Sequence, residues 1–270
     1  MLTPAQIAHY RERGYVLPLR ALGANEAAAL LARIDAVSPA DVAEVRHPWY
    51  YKSYLLFTWL DALVRDPRIL APVTDILGPD VTVMSADIWR KVAGEQRHIS
   101  WHQDASYWSL EPLEIMTAWI ALTPATLENG CMRFAPGSHK RRVEHRNTFA
   151  ADNMLSHGQT VQLEIDEAST VADVLSPGEM SLHHALLAHA SGPNATAEPR
   201  VGLAIRYLPG NVRQVAGQGS GPPVSVMPVR GRPTGNLLLE LPPAFDLSPE
   251  AIAQHTRLLE PHAATRYVNF

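Results

Sequence analysis

From Val81 onward the chain is a succession of short apolar runs broken by Gly, Pro, Asn and Asp. They read VTVMSADIW, HISWHQD, IMTAWIAL, CMRFAP, TVQLEI, EMSLHHALL and RVGLAIRYL. Each run has the length of a strand and is too short for a stable helix. Many short strands at this spacing predict an all-β sandwich or barrel. No helix of crossover length alternates with them, which excludes a parallel α/β sheet. The first 80 residues read differently. Thr3, Pro4 and Gln6 form a capping box with proline at the first helical position, and Gly14 stops that helix. Tyr15 to Pro18 reads as a strand. Asn25 is the expected cap of a helix over Glu26–Val37, and Asp66-Pro67 opens another that ends at Gly78. The expectation is one mainly-β domain over residues 1–270. A helical N-terminal layer (1–80) packs on a jelly-roll core (81–210). The extension 211–270 has a Gly- and Pro-rich part from about Gly217 that reads as a surface loop.

Composition matters here for what it excludes. The chain is 46% hydrophobic and 19% charged, enough apolar residue for a sizeable core. A net charge of −4 gives no reason to expect nucleic acid or an anionic membrane as partner. The single cysteine, Cys131, rules out an internal disulfide and a cysteine-rich zinc site. No apolar run is long enough to span a bilayer, and the opening MLTPAQIAHYRERGY lacks a signal-peptide pattern. A cytoplasmic protein acting on a small molecule is the expectation.

Two motifs point to chemistry. In SWHQDASYW, His102 and Asp104 stand at i and i+2, which on a strand project from one face. An imidazole and a carboxylate aimed at one point suit a divalent metal. Alone, the triplet is a weak signal and fits a hydrogen-bonded pair at a strand end better than a metal site. The second motif is LLAHASGPN followed by PRVGLAIRY. Ten residues lie between His189 and Arg200, room for a turn and a return strand. Arginine suits a carboxylate because its planar fork gives two parallel charge-assisted bonds. Together, His102, Asp104 and His189 form a 2-His-1-carboxylate triad with three open metal positions. His183 and His184 compete with His189 for the last place, or serve as core or outer-shell histidines. Asp87, Trp89 and Lys91 share a strand face with Ser85. They read as a pocket wall or as plain strand alternation. Arg206 shares the parity of Arg200, and either binds an anionic substrate group or pairs with a core carboxylate. Tyr107 and Trp108 follow the first motif closely and read as substrate contacts.

In these blocks, and in their order along the chain, the sequence resembles the phytanoyl-CoA dioxygenase family of iron(II)/2-oxoglutarate oxygenases. The likeness also covers LTPAQIAHYRERGYV, KSYLLFTWLDALVRDPRIL and TAWIALTPATLENGCMRFAPGSHK. The resemblance implies a double-stranded β-helix with His102, Asp104 and His189 as Fe(II) ligands. It also implies that Arg200 and Ser191 hold the distal carboxylate of 2-oxoglutarate and that Trp119 lines the co-substrate pocket. Lys91 belongs with this co-substrate set. The implied reaction uses 2-oxoglutarate and O2, releases succinate and CO2, and hydroxylates an unactivated C–H bond. Desaturation, epoxidation or cyclisation at the same centre is the alternative. A cupin-like metal sensor without turnover and a metal-dependent hydrolase are the rivals from other classes. Family halogenases carry a small residue where Asp104 stands, so Asp104 implies no halogenation. Two positions depart from the family pattern: Pro199 replaces a second arginine and Tyr54 replaces a histidine. No basic tract suits coenzyme A beyond Lys140-Arg141-Arg142. The expected substrate is therefore a small or medium polar metabolite bearing an anionic or amine group.

Overall fold

The computed structural model describes residues 1–215 and 223–262, without the side chains of Ser106, Tyr107 and His262. Helix α1 (Pro4–Arg13) starts at the Thr3 capping box and ends at Gly14, whose φ of 88° needs a residue without a side chain. Strand β1 (Tyr15–Arg20) follows. Helix α2 (Ala24–Ala36) is capped two residues earlier than its sequence suggests. The Glu26 carboxylate reaches back to accept the Gly23 N–H at 2.6 Å, so Gly23 replaces the expected Asn25 as the cap. Helices α3 (Thr58–Val64) and α4 (Pro67–Leu77) complete the N-terminal layer. Asp66 accepts the Arg68 N–H to start α4.

The β-core consists of two facing sheets. The larger comprises β1, β2 (Val81–Lys91), β5 (Met116–Ala121), β10 (Glu179–His184), β12 (Arg200–Pro209), β14 (Ser225–Arg230) and β15 (Leu238–Leu239). Its strand order is β1-β10-β5-β12-β2-β14-β15. The smaller comprises β3 (Ile99–His102), β6 (Met132–Phe134), β9 (Val171–Ala172) and β11 (His189–Ser191), in the order β3-β11-β6-β9. Two short pairs flank them: β4 (Leu110–Glu111) with β13 (Arg213–Gln214), and β7 (His145–Asn147) with β8 (Gln159–Val161). This is the double-stranded β-helix expected of the sequence.

Period-2 alternation gives the large sheet two kinds of face. Val83, Ala86 and Ile88 of β2, Ala118 and Ile120 of β5, and Leu203 and Ile205 of β12 pack against the N-terminal helices, among Leu56, Leu60, Ile69 and Val73. The opposite face of the same strands carries Ser85, Asp87 and Trp89, Thr117 and Trp119, and Ala204 and Arg206, all on one cavity. The strands are thus buried on both sides, which is why they read as near-continuous apolar runs.

The C-terminal extension differs from the surface loop expected of it. Residues 216–222 lie outside the described residues, but Ser225–Arg230 pairs antiparallel with β2 as an additional strand of the large sheet. Helix α5 (Pro249–Leu259) follows. The extension is pinned by Glu240. Its carboxylate takes the Lys52 ammonium at 2.5 Å and the Tyr54 hydroxyl at 2.6 Å, with all three side chains buried. Tyr54 therefore belongs to the packing of the extension, and it does not line the cavity. No described helix is long and apolar enough to cross a membrane.

Candidate metal centre

His102 is the last residue of β3 and pairs directly across from His189, the first of β11. Their rings lie 4.1 Å apart. Asp104 does not continue the strand. It opens a 3-10 turn over Asp104–Tyr107, so the chain bends at Gln103 and swings the carboxylate toward the two imidazoles. Gln103 fixes the bend. Its amide donates to the Leu186 and Arg141 carbonyls at 2.7 and 2.9 Å and accepts the Val143 N–H at 2.8 Å.

One donor atom from each of His102, Asp104 and His189 lies within 4.8 Å of the others, and Nε2 of His102 stands 3.4 Å from Oδ1 of Asp104. Each histidine gives its Nδ1 to the carbonyl two residues before it, Ser100 or Leu187, at 2.9 Å. That contact fixes the tautomer and leaves Nε2 as the available lone pair, the usual arrangement for a ligating imidazole. Burial lowers the His189 pKa well below its ordinary value, with the His102 ring adding to it, so His189 is neutral at physiological pH. Burial opposes ionisation of Asp104, but Arg206 and the two histidines outweigh it and hold the carboxyl well below its usual range. Two imidazoles that leave Nε2 free and one carboxylate are the donor set that Fe(II) takes in a facial triad. The residues present therefore fit the metal. His184 turns elsewhere: its Nδ1 accepts the Leu186 N–H, and its Nε2 faces Glu114 at 3.7 Å. His183 lines the cavity beside His189, with ring centroids 4.9 Å apart, and neither of its nitrogens has a hydrogen-bond partner among the described residues.

The triad opens on a cavity of about 490 Å³. Arg200 closes one end of it, buried and 5.5 Å over the Trp119 ring, with Nη1 donating to Ser191 Oγ at 3.2 Å and to the Gly130 carbonyl. Lys91 stands behind Ser191, donating to its hydroxyl at 2.7 Å and to its carbonyl at 3.2 Å, and does not line the cavity. Among the described residues neither cation has a carboxylate within ion-pair distance. Burial pushes Lys91 down to about 7 and Arg200 down to about 10. Arg200, buried on the cavity without a carboxylate partner among the described residues, marks a place for an anion. Gly202 makes room there. It lies opposite Trp89 on one side and Ala121 on the other, and a Cβ on it would stand 2.1 Å from the Trp119 indole.

Asp87 and Arg206, expected as substrate contacts, both line the cavity but are bound to each other. Ser85 also accepts from Arg206 at 3.0 Å, and Asp87 accepts the Tyr51 backbone N–H. The register brings Asp87 and Arg206 together: Arg206 stands opposite Ser85, and Asp87 is two residues further along β2 on the same face. Trp89 and Trp108 line the cavity as expected, while the side chain of Tyr107 is outside the described residues. Sequence reasoning missed Thr117, whose hydroxyl donates to Asp104 at 3.3 Å. The stretch Trp49–Trp59 is dense in aromatics, which reads as core with some rings at the mouth of the barrel, and its Tyr50 and Tyr51 line the cavity.

A phytanoyl-CoA dioxygenase profile matches residues 10–202, which include His102, Asp104, His189 and Arg200. The chain belongs to the phytanoyl-CoA dioxygenase family. A probable alpha-ketoglutarate-dependent hypophosphite dioxygenase of Stutzerimonas stutzeri is 29% identical over 187 residues, 67% of this chain and 64% of that protein. The human peroxisomal phytanoyl-CoA dioxygenase is 28% identical over 148 residues, covering 52% of this chain and 43% of its own length. The chain thus matches less than two thirds of each of these curated relatives. A solved structure of the non-heme monooxygenase ThoJ is 33% identical, with a TM-score of 0.83 over 95% of this chain and 96% of its own.

Proposed function

We propose that this protein is an Fe(II)- and 2-oxoglutarate-dependent dioxygenase that hydroxylates an unactivated C–H bond of a small or medium-sized metabolite. One observation carries the reading. The donors of His102, Asp104 and His189 converge at the same cavity that ends on Arg200, a buried cation with no acidic partner among the described residues. A metal-binding sensor needs no such clamp, and a hydrolase has no use for it. Bound at the triad, iron(II) would supply dioxygen activation coupled to oxidative decarboxylation of 2-oxoglutarate to succinate and CO2.

The chain's own residues do the rest. Ser100 and Leu187 carbonyls hold the two imidazoles in one tautomer. Arg200 and the Ser191 hydroxyl receive the distal carboxylate of 2-oxoglutarate, with Lys91 orienting Ser191 from behind and Trp119 covering the guanidinium. Trp89, Trp108, Tyr50 and Tyr51 wall the remaining space and limit water there. Arg206 is committed to two carboxylates. The substrate handle then falls to the aromatic wall and neutral polar groups such as Ser156 and Gln159. The test is succinate release from 2-oxoglutarate with Fe(II) and ascorbate, in air and under nitrogen, across a substrate panel. Oxygen-dependent, substrate-stimulated succinate is the expected result. Turnover of a substrate without oxygen would support the hydrolase instead, and metal binding with no succinate would support the sensor.

A further inference from the structure

We propose that Arg206, with Thr117, is a positioning residue that restricts Asp104 to binding the metal through a single oxygen. The inference rests on reading the triad as a metal centre. The two oxygens of Asp104 stand in different surroundings. Oδ2 receives Arg206 Nε at 3.2 Å and the Thr117 hydroxyl at 3.3 Å. Oδ1 faces His102 Nε2 at 3.4 Å and, among the described residues, has only Arg206 Nη2 at 3.5 Å, the outer limit of a hydrogen bond. Oδ1 is thus the oxygen turned toward the imidazoles, and Oδ2 is occupied from the large sheet.

A carboxylate that can rotate is able to grip a cation with both oxygens. Here that would fill a fourth metal position, whereas two-point binding of 2-oxoglutarate and one dioxygen need three of the six. Arg206 is itself held against such slack. On β12 it lies opposite Ser85 of β2 and Thr117 of β5. Its Nη1 donates to the Ser85 hydroxyl at 3.0 Å and to the Asp87 carboxylate, and Asp87 is anchored in turn by the Tyr51 backbone N–H. A planar guanidinium can serve two carboxylates on its two edges at once, which an ammonium cannot do with the same rigidity. The charges are also apportioned. Asp87 and Asp104 carry two negative charges and Arg206 one positive, so one negative charge is left for the metal.

The test uses the full chain loaded with Co(II) under anaerobic conditions. Crystal structures and calorimetric titration with 2-oxoglutarate are compared for wild type, Thr117→Ser, Thr117→Val and Arg206→Met. Wild type and Thr117→Ser, which keeps the hydroxyl, should show one Asp104 oxygen on the metal. Thr117→Val and Arg206→Met should show both oxygens on it, with 2-oxoglutarate bound about ten- to hundredfold more weakly. Thr117→Val is nearly isosteric, so it carries the test if Arg206→Met does not fold. One-oxygen coordination with unchanged 2-oxoglutarate affinity in the folded variants would overturn the inference and leave the proposed function standing. Cobalt bound away from His102, Asp104 and His189 in wild type would overturn both.

Discussion

At the scale of single residues, Arg200 and Gly202 show how much depends on atoms that are present and atoms that are absent. Arg200→Ala removes a charge-assisted bond worth about 1.5–3 kcal/mol. The 2-oxoglutarate requirement should rise by roughly one to two decades while the substrate requirement changes little. An Arg200→Ala enzyme with unaltered 2-oxoglutarate affinity, measured by calorimetry, would remove the clamp from the account. Gly202→Ala acts by intrusion, because its methyl would enter the Trp119 indole that lies over Arg200. Such overpacking costs about 1–3 kcal/mol. Thermal melts should show that loss, and 2-oxoglutarate binding should weaken with it. Of these two, only Arg200 could be found in the sequence. A charged residue at a fixed distance from a histidine is a local signal, whereas the need for a glycine comes from a ring on the neighbouring strand.

At the scale of elements, the alternation along β2, β5 and β12 was legible, because a period of two survives any arrangement of strands. Strand parity puts Asp87, Trp89 and Lys91 on one face with Ser85; Asp87 and Trp89 line the cavity with Arg206, whereas Lys91 does not. Parity could not say that Asp87 and Arg206 would spend their charge on each other, since register across strands is set by long-range pairing. The turn at Gln103 was hidden for a related reason. Its amide is satisfied by carbonyls 38 and 83 residues away in sequence. The C-terminal strand is hidden in the sequence because β14 contains Pro228, tolerated there despite its missing N–H. The Lys52–Glu240–Tyr54 cluster that secures this extension gives a stability prediction. Glu240→Ala leaves a buried ammonium without its partner and should cost about 3–5 kcal/mol. Denaturant titration should show that loss, and a change within error of zero would mean the extension is held by apolar packing alone.

At the scale of the whole molecule, the two-sheet architecture and helical layer follow from the run lengths, and the triad from motif order. Stability against pH adds a property no motif shows. His255 is fully buried in α5, and neither ring nitrogen is bonded among the described residues. Burial pushes its pKa from 6.5 down to about 4, and Lys52 and His47 push the same way. Between those values the unfolded chain binds a proton that the folded chain refuses. Stability should therefore rise with pH from about 4 to 6.5, by about 3 kcal/mol from this group. His255→Leu should flatten that part of the profile; an unchanged slope would assign it to other groups.

The central claim is that one iron is held by His102, Asp104 and His189 with 2-oxoglutarate anchored on Arg200. Its most direct test is anomalous diffraction at the iron edge from crystals grown anaerobically with Fe(II) and 2-oxoglutarate. The account predicts a single peak roughly 2.0–2.3 Å from Nε2 of both histidines and from an Asp104 oxygen. The distal carboxylate of 2-oxoglutarate should lie against Arg200 and Ser191. A peak on His183 or His184, or 2-oxoglutarate bound away from Arg200, would contradict it.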